Sequence, residues 1–161
     1  MKIKKQIQRH YTRRQVKNDF LKYWRVVRRY TQIKYNLSEQ DLEVLLYLYS
    51  EGLFTYYDYK EYTNTMSWDI KRFARLKEEG WIHMWHDKYR GSYRLYELTR
   101  HGRHVCTNLY KQLNGEVEIP ESSKHNPLVT SRKYSDRVLW MSVKKFNEHV
   151  RKNKVSTRIE Y

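Results

Sequence analysis

Residues 66–98 read "MSWDIKRFARLKEEGWIHMWHDKYRGSYRLYEL", and a change of period inside this stretch decides the fold. In its first half Met66, Ile70, Phe73 and Leu76 are spaced 4, 3 and 3 residues apart, which places them on one face of an α-helix. Ser67 can cap that helix and Gly80 closes it, so a helix is expected over 67–79. Ser67, Trp68, Lys71, Arg72 and Arg75 are expected on its outer side. From Trp81 onward the pattern changes. "WIHMWH" and "YRLYEL" are rich in aromatics and suit β-strands. The polar "DKYRGS" between them, with Gly91, reads as a hairpin tip. That tip carries Lys88, Tyr89, Arg90 and Ser92, with Arg94 just beyond. Cations and hydroxyl donors on a short loop are the groups that meet a phosphate backbone.

The neighbouring segments complete the motif. In "NLSEQDLEVLLYLYSEG", Ser38 with Asp41 three residues on reads as a helix N-cap. Leu42, Leu45, Leu46 and Tyr49 form its buried stripe, and Gly52 stops it. "FTYYDYKEYTNT" is a shorter helix capped by Thr55, with Tyr59 and Tyr62 facing inward. Helix, short helix, helix and hairpin make residues 38–98 a helix-turn-helix followed by a wing. In that arrangement the last helix can enter a major groove while the hairpin lies against the flanking backbone.

On the N-terminal side, Val16, Phe20, Tyr23, Trp24, Val27, Tyr30 and Ile33 mark one face of a long amphipathic helix. Arg13, Arg14, Lys17, Lys22, Arg25, Arg28 and Arg29 line the other. After the hairpin, Thr99 caps a helix with Val105, Leu109 and Leu113 on one face, and Gly115 ends it. "NGEVEIPESSKHNP" holds both prolines and reads as a linker. Leu139, Val143, Phe146 and Val150 predict a last helix over roughly 131–152. The expected fold class is mainly α with a small β-hairpin wing: a winged helix-turn-helix with flanking N- and C-terminal helices, to which the family resemblance described below assigns dimerisation. Its divisions are a basic arm at 1–11, the winged-helix domain with its helices at 12–113, a linker at 114–130, and a C-terminal helix and tail at 131–161.

Charge narrows the partner. The chain has 33 Lys and Arg against 18 Asp and Glu, a net charge of +15, which favours an anionic partner. The charge comes in blocks, net +11 over residues 1–34 and net −5 over residues 35–65. Charge serving solubility alone has no reason to segregate in this way. No apolar run approaches the ~18 residues of a membrane span, and no apolar segment follows the basic N-terminus. The reading is a soluble, cytoplasmic protein of a size that suits bacterial and phage regulators.

The catalytic signals are weak. There is no glycine-rich phosphate loop and no metalloprotease or hydrolase motif, so neither an enzyme nor a cofactor is expected. His83 and His86 would fall on opposite faces of a strand. His101 and His104 could share a helix face, but a third metal ligand at a suitable spacing is lacking. Cys106, the single cysteine, reads as a small core residue rather than a redox switch.

The segments "LSEQDLEVLLYLYSEG", "IKRFARLKEEGWI" and "YELTRHGRHV" resemble the MarR family of dimeric winged-helix regulators, over about residues 12–113. The resemblance implies a homodimer built from the first and last helices, with each winged-helix lobe on one half-site of double-stranded DNA. It also implies a small aromatic effector held between the lobes, although the many Tyr and Trp residues serve equally well as core. The chain departs from the family's Asp-x-Arg near the wing tip, since Asp87 and Arg90 lie one residue further apart. Two other readings stay open: a non-specific architectural DNA-binding protein, and a winged-helix module that docks on another protein through its acidic 39–61 surface.

Overall fold

The computed structural model describes residues 20–88 and 91–159, so the expected arm at 1–11 and the tip residues Tyr89 and Arg90 lie outside the described residues. The elements are α1 (Leu21–Tyr35), α2 (Glu39–Glu51), β1 (Phe54–Thr55), α3 (Tyr56–Met66), α4 (Arg72–Glu78), β2 (Ile82–His86), β3 (Leu95–Leu98), α5 (Arg100–Leu113), α6 (Pro127–Thr130) and α7 (Tyr134–Ile159). The strands form an antiparallel sheet in the order β1-β3-β2. Segment α2 to β3 is a winged helix-turn-helix, and the fold is mainly helical with one small sheet. Strand β1 is two residues long, too short to leave a period in the sequence.

Helices α2, α3 and α5 begin where the sequence supplies an acceptor. Ser38 Oγ accepts from Asp41 N at 3.1 Å, and the Asp41 carboxylate accepts from Ser38 N at 3.2 Å. Thr55 and Asp58 repeat this reciprocal cap at the start of α3. Such boxes satisfy backbone donors that a helix start otherwise leaves open, and each contributes about 1 kcal/mol. Thr99 caps α5 by accepting from Gly102 N at 3.2 Å. Its hydroxyl also donates to the Gly80 carbonyl at 2.8 Å, which pins the exit of β3 to the end of α4.

The core runs from α1 through α2 to the sheet, with Val27, Leu45, Leu48, Tyr59, Leu76, Ile82 and Leu98 buried. Phe73 of α4 packs edge-on against Tyr96 of β3, with ring centroids 5.0 Å apart. Cys106 is buried beneath α2, and burial pushes its thiol up to about 12, far from a reactive thiolate.

Helix α4 differs from its expected span. It begins at Arg72, not Ser67, and is seven residues long. Ser67 is the left-handed C-cap of α3 at φ 56°. Asp69 Oδ1 accepts from Lys71 N at 2.9 Å, so residues 67–71 form the turn of the helix-turn-helix. Met66 and Ile70, expected on the buried seam, are exposed as a result.

The flanking helices α1 and α7 pair with each other. Arg29 makes a two-pronged ion pair with buried Asp136, at 2.7 and 2.9 Å. Tyr23 meets Phe146 edge-on at 5.2 Å. Val143, Phe146 and Val150 are buried within the one chain. Helix α7 continues to Ile159, past its expected end.

The segment read as a linker is packed. Ile119 is buried, its N–H donates to Asn147 Oδ1 at 2.9 Å, and its carbonyl accepts from Asn147 Nδ2 at 2.8 Å. Asn126 ties the strap to itself by donating to the Pro120 carbonyl at 2.7 Å. Polar composition and two prolines therefore mark a strap laid along α7, fixed by side-chain hydrogen bonds where helix or sheet pairing is absent. Asn147→Ala leaves both backbone groups of Ile119 buried without a partner. It should cost about 2–4 kcal/mol in a urea titration, while exposed Ser123→Ala in the same strap should cost almost nothing.

Candidate nucleic-acid interface

Helix α4 is held to the N-terminus of α2 by a cluster around one carboxylate. Asp41 is 4% exposed, and both Arg72 and Arg75 donate to its Oδ1. Arg72 also reaches Gln40 Oε1 and, at 3.4 Å, Ser38 Oγ. Burial alone would raise the Asp41 carboxyl. Hydrogen bonds from Ser38, Arg75 and Arg72 outweigh burial and hold it down to about 2.

This cluster sorts the expected contact residues. Arg72, expected on the outer face, is 12% exposed and committed to α2. Trp68, also expected outside, is 7% exposed and packs edge-on against Tyr47 at 5.4 Å. The cause is the same for both. Because the helix starts late, Trp68 sits in the turn over α2, where an indole fills the gap between α2 and α3. Arg75 is 45% exposed, with one branch of its fork on Asp41 and the other on Glu79 at 3.2 Å. Lys71 and Ser67 are exposed at the turn, directly before the helix. Asp69 acts as the turn's backbone acceptor.

The wing rises from β2 and β3, with a bulge between Met84 and His86 that leaves Trp85 exposed. Asp87 closes the base of the tip by accepting from Lys88 N at 2.7 Å and from Arg94 Nε at 2.8 Å. Arg94 is thus paired across the hairpin, yet it and Lys88 are exposed, as is Ser92. Tyr93 contacts Tyr57 at the start of α3, edge-on at 5.1 Å. Sequence reading missed this aromatic pair because its partners are 36 residues apart and each reads alone as a surface tyrosine. Together, Tyr57–Tyr93 and Phe73–Tyr96 pack the helix-turn-helix against the wing.

Elsewhere, a cleft of about 360 Å³ lies between α1, the start of α2 and α7, lined by Arg25, Arg28, Arg29, Gln32, Glu39 and Asp136 among others. Its walls are polar and mostly charged. Among the described residues, no group of three His, Cys, Asp or Glu could hold a metal ion, and no helix is long and apolar enough to cross a membrane.

The depressed Asp41 pKa gives a pH test of the α2–α4 cluster. Because the folded value lies below the ordinary 3.8, its contribution is complete above that value and is lost as pH falls through about 2. The native chain should lose about 2 kcal/mol from this group on acidification. Asp41→Asn should lack that acid-dependent loss and be less stable at neutral pH, as read by urea titrations across pH.

No known protein-family model matches the chain, and no curated protein matches it. Among solved structures, it is similar to a cysteine-to-serine mutant of MarR from E. coli complexed with operator DNA, at 17% identity and a TM-score of 0.39, over 65% of this chain and 78% of that one.

Proposed function

We propose that the chain is a sequence-specific transcription regulator that binds double-stranded DNA as a homodimer. The observation that carries this reading is the packing of the helix-turn-helix against the wing, with cationic side chains exposed on both. Lys71, Ser67 and the exposed Arg75, whose second branch is shared with surface Glu79, face the major groove. Lys88, Ser92 and Arg94 meet the flanking backbone, and Tyr89 and Arg90 belong to the same tip by sequence. Arg72 and Trp68 serve from below: Arg72 sets the tilt of α4, and Trp68 fills the turn.

The dimer is read from α7. Tyr134, Val138 and Met141 are exposed and spaced 4 and 3 residues apart, an apolar stripe on the side away from α1. An effector in the α1–α2–α7 cleft would meet Arg25 and Gln32, since Arg28 and Arg29 are already paired with Glu39 and Asp136.

A second reading, non-specific DNA coating, is favoured by one observation. Arg72 and Arg75 are both engaged by Asp41, which leaves a short helix with few side chains to read bases. The two readings separate on the affinity ratio between a selected site and random duplex, which is ~10³ or more for regulators.

In duplex titrations over a salt series, Lys88→Ala should weaken binding to all sequences alike and flatten the salt slope by about 0.9. Arg75→Ala should cost about 1–3 kcal/mol, concentrated at one base position. Binding that ignores both salt and these substitutions would end the proposal.

A further inference from the structure

The cleft between α1, the start of α2 and α7 holds polar groups that the chain itself leaves unused. Arg25, Arg28, Arg29 and Gln32 follow one another at 3, 1 and 3 residues, so one face of α1 forms its wall. Gln32 is 7% exposed and lines the cleft, and among the described residues no hydrogen bond engages its side-chain amide. A buried amide without a partner is costly, so it marks a place where a group arrives from outside. Arg28 reaches Glu39 through Nη1, while its Nε is buried without a partner. Arg25 is exposed at the cleft, and among the described residues no carboxylate pairs with it.

The lining sets the chemistry of the occupant. Three arginines face two carboxylates, Glu39 and Asp136, which leaves one positive charge. The start of the 26-residue α7 adds to it at Ser135, in the helix turn whose backbone N–H groups have no intrahelical acceptor. A monoanion balances this site. Leu37 and Leu139 supply an apolar wall, and among the described residues no aromatic ring lines the cleft, so an aryl group has nothing to stack on. Arg25 and Gln32 stand about 10 Å apart along α1, a separation that suits a chain with a polar group at each end. The volume, about 360 Å³, is that of a small-molecule site.

The cleft also touches the cap of α2. Ser38 lines it, donates to Asp41 Oδ2 at 2.6 Å and accepts from Arg72 at 3.4 Å. One wall therefore lies a single hydrogen bond from the carboxylate that orients α4. We propose that the cleft binds a small aliphatic monocarboxylate with a hydrogen-bonding group at its far end, and that its occupation tightens α4 through Ser38. The carboxylate meets Arg25 and the far end meets Gln32. This rests on the regulator reading above and names its effector, in place of the aromatic one that the family resemblance implies. Arg25 and Gln32 take no part in the duplex contacts of that reading.

The test titrates 6-hydroxyhexanoate into the full chain by calorimetry, beside hexane-1,6-diol, inorganic phosphate and 4-hydroxybenzoate. Variants are Arg25→Gln, Gln32→Met and, as a control, exposed Lys124→Gln; circular dichroism checks that each is folded. The acid should bind one to a chain and tighter than the other three probes. Arg25→Gln and Gln32→Met should each weaken it about tenfold, the scale of one lost hydrogen bond to a charged or buried group, and Lys124→Gln should not. Amide hydrogen exchange over residues 38–41 and 72–78 should slow several-fold when the acid is bound. No uptake at millimolar acid, or uptake that ignores both cleft variants, overturns the site. Phosphate or 4-hydroxybenzoate binding more tightly overturns the aliphatic class. Unchanged exchange with the acid bound overturns the link to α4. If the acid binds and slows exchange but no duplex binds with or without it, the regulator reading fails and the site remains.

Discussion

The structure depends on what happens at the Asp41 carboxylate. It closes the N-terminus of α2, where Ser38 binds it in a reciprocal cap. It also draws in two arginines from α4, a helix too short to hold its own position. A seven-residue helix has few internal hydrogen bonds, and an isolated one would not persist in water. Its place must come from tertiary contacts. Phe73 and Leu76 supply the apolar part, and the Arg72–Asp41–Arg75 cluster supplies direction. A single acid taking two guanidinium groups can be buried because one oxygen is met by both charged groups and the other by the Ser38 cap.

That arrangement carries a cost in recognition chemistry. An arginine fastened to the scaffold cannot also read a base, so binding capacity moves toward the edges of the motif: the turn before α4, the half-exposed Arg75 beside Glu79, and the wing. The acidic block over 35–65 takes on a meaning in the same way. Asp41 and Glu39 are counterions for Arg72, Arg75 and Arg28, holding helices together across the chain. Asp58 closes a cap. Part of what looks in composition like a repulsive patch is internal pairing.

The α1–α7 pair shows the same economy of charge with a different outcome. Arg29 is neutralised by buried Asp136, and Arg151 by the carboxylates of the strap. The outer side of α7 is left with an exposed apolar stripe, Tyr134, Val138 and Met141.

Much of the fold was legible in the sequence. The stripes of α1, α2, α5 and α7, the caps at Ser38, Thr55 and Thr99, and the switch to strands after Gly80 are local signals, since each depends on residues within a turn or two of one another. The start of α4 was not legible. Ser67 looks like a cap by type, and only its left-handed backbone, with Trp68 drawn into the gap over α2, moves the helix to Arg72. The strap at 116–126 was not legible either, because Asn147 holds Ile119 from 28 residues away. Which arginines face outward was undecidable for the same reason. Helical spacing puts Arg72 and Arg75 outside, and it contains no information about an aspartate 31 and 34 residues earlier that folding brings against them. The sequence by itself determined the helices, their caps and the sign of the charge, because those follow from neighbours along the chain. The tertiary structure alone decided which of those charges are left to meet a partner, because pairing is settled by distance in space.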